Sequence, residues 1–167
     1  MRYIVSEVQY DSGVQRTAGT KARNDVETIL SKEGYKKITI EKKIKKSELK
    51  FKSISYHFSC FKEWKNAFLK TKIEKDDEVV IQFPPINHTL FFAGLIKKYV
   101  KKGATIKLLI HDMEILRTAT RDDISLLKKF RINFEEKKTL KAASSIIVHN
   151  SSCLLYTSDA ADEEDSV

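Results

Sequence analysis

Five short apolar runs alternate with helix-patterned segments along this chain, and that alternation constrains the fold more than any other feature. The runs are RYIVSEV (2–8), KKITI (36–40), DEVVIQF (77–83), ATIKLLIHD (104–112) and SSIIVHN (144–150). Each is rich in β-branched or apolar residues and bounded by polar or turn residues, which is the signature of a strand. Between them, TKARNDVETILSKEGY, SYHFSCFKEWKNAFLK and HTLFFAGLIKKYVKKG carry apolar residues at helical spacing, as do RDDISLLKKF and INFEEKKTLKAAS. In the first helix Thr20 is the expected N-cap, Val26, Ile29 and Leu30 the buried stripe, and Gly34 the C-terminal stop. In the second, Phe58, Phe61, Trp64, Phe68 and Leu69 form an aromatic stripe expected to be core, and Gly103 ends the third. Strands alternating with helices predict an α/β fold, a Rossmann-like parallel sheet flanked by helices and covered on both faces. DEVVIQF, apolar without interruption, reads as a strand buried on both sides.

In such sheets ligands bind outside the carboxyl ends of the strands. The third strand stops at Pro84-Pro85, because proline donates nothing to a ladder, and Asn87, His88 and Thr89 follow at that edge. The first strand delivers Asp11, Ser12 and Gly13, the fourth His111 and Asp112, and the fifth His149 and Asn150. Polar residues thus recur at one edge. His111-Asp112 is the sharpest pair, since an imidazole or carboxylate beside an acceptor hydroxyl can act as general base. The competing reading is that Asp112 caps the next turn and His111 packs. His88 and Asn87 could equally be helix caps, and His149 is expected to be structural or interdomain. The loop YDSGVQRTAGTKARND, with Gly13 and Gly19, could turn backbone N–H groups toward an anion at a helix start, although it is neither a Walker motif nor GxGxxG. The Lys-rich segment 41–52 reads as a connection.

The chain of 167 residues carries a net charge of +8, and its 41% hydrophobic content suits one globular domain. No run approaches the roughly 20 apolar residues of a membrane span. Cys60 and Cys153 form no disulfide framework and no metal spacing, so a cytoplasmic setting is expected, with Cys60 as core filling. Residues 153–167 hold five acids and no Lys or Arg; setting those five charges aside leaves +13 on residues 1–152. Such a surplus favours anionic partners, including anionic lipid at Lys97, Lys98, Lys101 and Lys102. No nucleic-acid-binding signature accompanies it. The stretch CLLYTSDAADE (153–163) reads as one frame of a sequencing-library adapter. The expected native segment is therefore residues 1–152, an N-terminal domain, with 153–167 foreign and a further domain missing.

Four stretches in order, EVQYDSGVQRTAGTKARNDVETIL, DEVVIQFPPINHTLFFAGLIKK, LLIHDMEILR and EEKKTLKAASSIIVHN, resemble bacterial β-1,6-galactofuranosyltransferases and the related glucosyltransferases of serine-rich adhesins. The resemblance implies the N-terminal, acceptor-side half of a GT-B fold, whose parent transfers a hexosyl group from a UDP-sugar to a glycan, lipid-linked or glycoprotein acceptor. It implies Asn87 and His88 at an interdomain cleft, the loop from Asp11 to Gly19 beside them, and Asp112 as general base if the reaction inverts. No metal and no cofactor beyond the UDP-sugar donor are implied. Expected partners are the nucleotide sugar and glycan acceptor, the inner leaflet as a peripheral contact, and other copies of the parent; the fragment alone is expected to be inactive. A different class stays open: a stand-alone basic Rossmann module that binds a phosphorylated ligand or nucleic acid.

Overall fold

The computed structural model describes residues 1–8, 18–41, 54–86, 91–119 and 125–148. In chain order the elements are β1 (Arg2–Val8), α1 (Ala18–Lys32), β2 (Lys36–Glu41), α2 (Ile54–Thr71), β3 (Glu78–Phe83), α3 (Phe92–Lys101), β4 (Thr105–Ile110), α4 (Glu114–Ala119), α5 (Leu126–Ala142) and β5 (Ser145–Val148). The five strands form one parallel sheet in the order β2-β1-β3-β4-β5. The α/β, Rossmann-like expectation therefore holds.

The two sheet faces differ because strand residues alternate between them. Tyr3, Val5, Ile38, Ile40, Val79, Ile81, Phe83, Ile106, Leu108 and Ile110 point to one face, where α2, α3 and α5 bury Trp64, Phe68, Phe92, Leu95, Ile96, Tyr99 and Leu140 against them. The rings interlock: Trp64 meets Phe92 edge-on at 4.7 Å between centroids, and Phe68 meets Tyr99 at 5.1 Å. The other face is thinner. Ile4, Val80 and Leu109 pack there against Val26, Leu30 and Tyr35 of α1 and the turn after it. Polar pairs fill the rest of that face, with Lys107 Nζ 2.7 Å from Glu78 and the Tyr35 hydroxyl donating to the same carboxylate. Both faces were expected to be covered; on this side the cluster with α1 reaches as far as Leu109 of β4, and Ile147 of β5 is exposed.

Local chemistry sets most element ends. α1 closes with Gly34 at φ +85°, where Tyr35 N–H reaches back to the Leu30 carbonyl at 3.0 Å, a Schellman closure that needs the left-handed region. Thr20 lies inside α1 rather than capping it, and Ile29 is exposed while Glu27 is buried. On α2 the buried stripe is Cys60, Trp64 and Phe68, with Phe61 packed beside it; Phe58 and Leu69 face solvent, contrary to expectation. Spacing of three and four selects either side of a wide aromatic band, and the sheet accepts only one. Two helices expected in 121–144 are one continuous helix, α5, and the short α4 was not anticipated.

Candidate functional site: a crevice where two strands part

Strand order reverses between β1 and β3. The chain moves outward from β1 to β2 on one side, then crosses to β3 and proceeds to β4 and β5 on the other. Such a switch point leaves a crevice at the carboxyl ends of the strands, where open α/β sheets bind ligands. Here the crevice is deepened by register. β1 and β3 pair only from Arg2↔Glu78 to Ile4↔Val80, although β1 continues to Val8 and β3 to Phe83. The space between their ends is a cavity of about 280 Å³ lined by Ser6, Glu7, Thr20, Arg23, Asn24, Glu27, Gln82 and Ile86, with Val5 and Val8.

Strand ends left without a ladder need other partners, and side chains supply them. The Arg23 guanidinium, on α1, donates to the Pro84 carbonyl and, at 3.4 Å, to the Gln82 carbonyl. The Gln82 amide returns a bond to the Arg23 carbonyl at 3.3 Å, and its oxygen lies 2.7 Å from His111 Nε2; the imidazole therefore carries a proton on Nε2. From the other strand, Glu7 accepts the Ile86 N–H at 2.8 Å. The Phe83-Pro84 peptide bond is cis. Behind the crevice, Ser6 donates to Glu27 at 2.7 Å, and Lys37 Nζ stands 3.3 Å from the same carboxylate.

Charges in the crevice oppose one another. Burial lowers the pKa of Arg23, while Glu7 and Glu27 raise it; a guanidinium stays charged throughout the ordinary range. On α2, the Tyr56 phenol is pushed up to about 12, first by burial, then by Cys60 and Glu7, so it remains a neutral hydroxyl. Cys60 itself is buried and hydrogen-bonded with Tyr56.

The His111-Asp112 pair does lie just past β4, where the sequence predicts it. Its two members face different partners. His111 joins the crevice through Gln82, and its N–H donates to the Phe83 carbonyl at 2.8 Å. Asp112 Oδ1 accepts the Met113 N–H at 2.8 Å, the turn-capping contact that was its competing reading. Next to it, Glu136 reaches from α5 to the first turn of α4 and accepts the N–H groups of Glu114 and Ile115 at 2.7 and 3.0 Å. Burial pushes this carboxyl up to about 7, against the two N–H bonds that favour its charge, with Glu114 and Asp112 adding repulsion. The N-terminus of α4 is thus already occupied by a carboxylate of the chain itself.

Gly19 falls in the first turn of α1. Asp11, Ser12, Gly13, Asn87, His88, Thr89, His149 and Asn150 lie outside the described residues. The sequence reading singled out none of Glu7, Gln82 and Glu136; Arg23 lies in the stretch YDSGVQRTAGTKARND, read as facing an anion rather than as a clamp on strand ends. Gln82 had a signal, being the polar residue inside VVIQF; a buried polar group is the informative exception in a core strand. Glu136 had one too, at the spacing of Ile132 and Leu140. Glu7 had none, because only the parting of β1 and β3 gives it a role. Among the described residues, no three His, Cys, Asp or Glu side chains converge as a metal site would require, and no helix is long and apolar enough to cross a membrane.

No curated protein matches the chain. A family model described as "Glucosyltransferase 3-like, N-terminal domain" matches residues 2–155, which span every element of the sheet and both walls of the crevice. With nearly the whole chain covered, this protein belongs to the glucosyltransferase 3-like N-terminal domain family and comes from a glycosyltransferase lineage.

Proposed function

We propose that this domain forms the acceptor side of a two-domain, GT-B-type sugar transferase, and that the β1–β3 crevice holds a sugar ring of the acceptor. The observation that carries the reading is the crevice lining. Ser6, Thr20, Asn24, Gln82, Glu7 and Glu27 present hydroxyl, amide and carboxylate groups, which are the partners that sugar hydroxyls require. The volume of about 280 Å³ lies just under the roughly 300–1,000 Å³ of drug-sized sites and suits one ring rather than an extended nucleotide sugar. Glu7 and Glu27 offset Arg23 and Lys37, so the described lining has no cationic surplus for a phosphate. That balance weighs against the stand-alone module for a phosphorylated ligand.

In the full-length enzyme a second α/β domain would bring a UDP-sugar to this edge, in keeping with a family described as an N-terminal domain. The transferred group would be glucosyl or galactofuranosyl. Asp112, just past β4, would take the acceptor proton if the reaction inverts, with His111 held beside it by Gln82. Asn87, His88, Thr89, Asn150 and the loop Asp11-Ser12-Gly13 would complete the acceptor wall.

Nuclear magnetic resonance titration of the ¹⁵N-labelled chain tests the site. Glucose, galactose and N-acetylglucosamine are the probes, with UDP-glucose as the comparison. Saturable shifts of the Ser6, Thr20 and Gln82 amides with a monosaccharide, absent in Arg23→Ala, are expected. Shifts at those amides produced by UDP-glucose but by none of the sugars would reassign the crevice to the donor.

A further inference from the structure

We propose that the outward face of α5 is a docking surface for an anionic lipid bilayer. Helices on a sheet normally bury their apolar stripe and expose their polar one. α5 buries Ile132, Glu136, Thr139 and Leu140, and it shows solvent large apolar side chains. Leu126 is 83% exposed, Leu127 84%, Phe130 71% and Phe134 47%. They recur at spacings of three and four, so they form one stripe along the first half of the helix. The Phe130 and Phe134 rings stack at 6.4 Å with their planes 13° apart.

The second half of the same face is cationic. Lys138 sits 4.0 Å over the Phe134 ring, Lys141 follows one turn later, and both are exposed. The acidic neighbour Glu135 has Lys138 and Arg131 beside it. α3 packs next to α5 in the same layer, and its Lys97, Lys98, Lys101 and Lys102 are all exposed. Apolar side chains that protrude from a convex helix, with a field of lysines beside them, fit a partner that is apolar beneath and negative on top. A bilayer with anionic headgroups has that profile, and it needs no groove to receive the helix. Phenylalanine and leucine enter the acyl boundary while lysines meet the headgroups. The surface is separate from the crevice and does not depend on the sugar reading.

Co-sedimentation of the full chain with vesicles tests it, using equimolar phosphatidylcholine and phosphatidylglycerol against phosphatidylcholine alone. Binding to the mixed vesicles only, weakened by salt, is expected. Leu127→Ser with Phe130→Ser should weaken it by about tenfold or more, since both side chains leave the acyl boundary. Lys138→Ser with Lys141→Ser should weaken it by about fivefold per lysine. The substituted side chains are exposed, so melting followed by circular dichroism should be unchanged; Leu126→Ser alone is the second variant if the double one melts early. Failure of the unmodified chain to bind the mixed vesicles, or undiminished binding by the Leu127→Ser, Phe130→Ser chain, overturns the proposal. Light scattering that shows a dimer abolished by the same pair would assign the stripe to a second copy instead.

Discussion

Gln82 occupies a position where the strand pattern calls for an apolar side chain. It is 3% exposed, and its amide joins the Arg23 carbonyl on one side to the His111 imidazole on the other. Its replacement by leucine keeps the volume but removes the hydrogen bonds to the Arg23 carbonyl and the His111 imidazole, each worth about 0.5–1.5 kcal/mol net. Gln82→Leu should therefore lower stability in urea denaturation by about 1–3 kcal/mol, with no loss of sheet signal in circular dichroism. Glu136 gives a pH dependence. Its folded pKa, about 7, lies above the ordinary glutamate value of 4.5, so the folded state holds this proton more tightly than the unfolded chain does. The associated stability is present below pH 4.5 and is lost as pH rises through 7. Between pH 5 and 8 the loss amounts to about 2–3 kcal/mol, and the slope should vanish in Glu136→Gln across a series of denaturation curves. Asp112 belongs to the proposed reaction. In the full-length transferase, Asp112→Asn should cut turnover by about 10²-fold or more if it is the base, whereas wild-type turnover would confine it to capping the Met113 turn.

At the scale of elements, strand positions were legible and helix ends only partly so. Four of the five strands fall inside the runs chosen from the sequence and β2 runs one residue past its own, because a strand in a parallel sheet packed by helices is a short apolar block between polar segments. Gly34 and Gly103 were read as stops, and both have positive φ, +85° and +90°. They differ in surroundings. A Cβ on Gly34 would meet nothing closer than Arg2 Nη2 at 3.7 Å, while one on Gly103 would sit 2.7 Å from Lys75 Cγ. Gly34→Ala should thus cost about 1 kcal/mol, from the left-handed backbone alone, and Gly103→Ala more; thermal melts of the two variants side by side check the order. Less legible was α4. The helical signal holds over Leu126–Ala142, but α4 is held by Glu136 of α5, which accepts N–H groups 21 and 22 positions away in the chain. The exposed apolar stripe of α5 was also hidden, since a helix with apolar residues on two sides gives no preferred inward face.

At the scale of the molecule the described residues are lopsided: one sheet face carries α2, α3, α5 and nearly all of the core, and the other carries α1 and a set of ion pairs. Trp64, fully buried between Phe68 and Phe92, is central to the heavy side. Trp64→Ala should remove about 3–5 kcal/mol, a large part of the 5–15 kcal/mol typical of a domain, and urea titration should place its midpoint near or below that of every other variant named here. Sequence alone determined the α/β class, the five strands and the edge at which His111 and Asp112 emerge, because these follow from local periodicity and from the chemistry of proline and glycine. Tertiary structure alone decided the order β2-β1-β3-β4-β5, the parting of β1 from β3 after Ile4 and Val80, and hence the meeting of Glu7, Arg23 and Gln82 around one crevice. Strand neighbours are chosen by packing between segments some 75 residues apart, and no local pattern in either segment records which partner it will take.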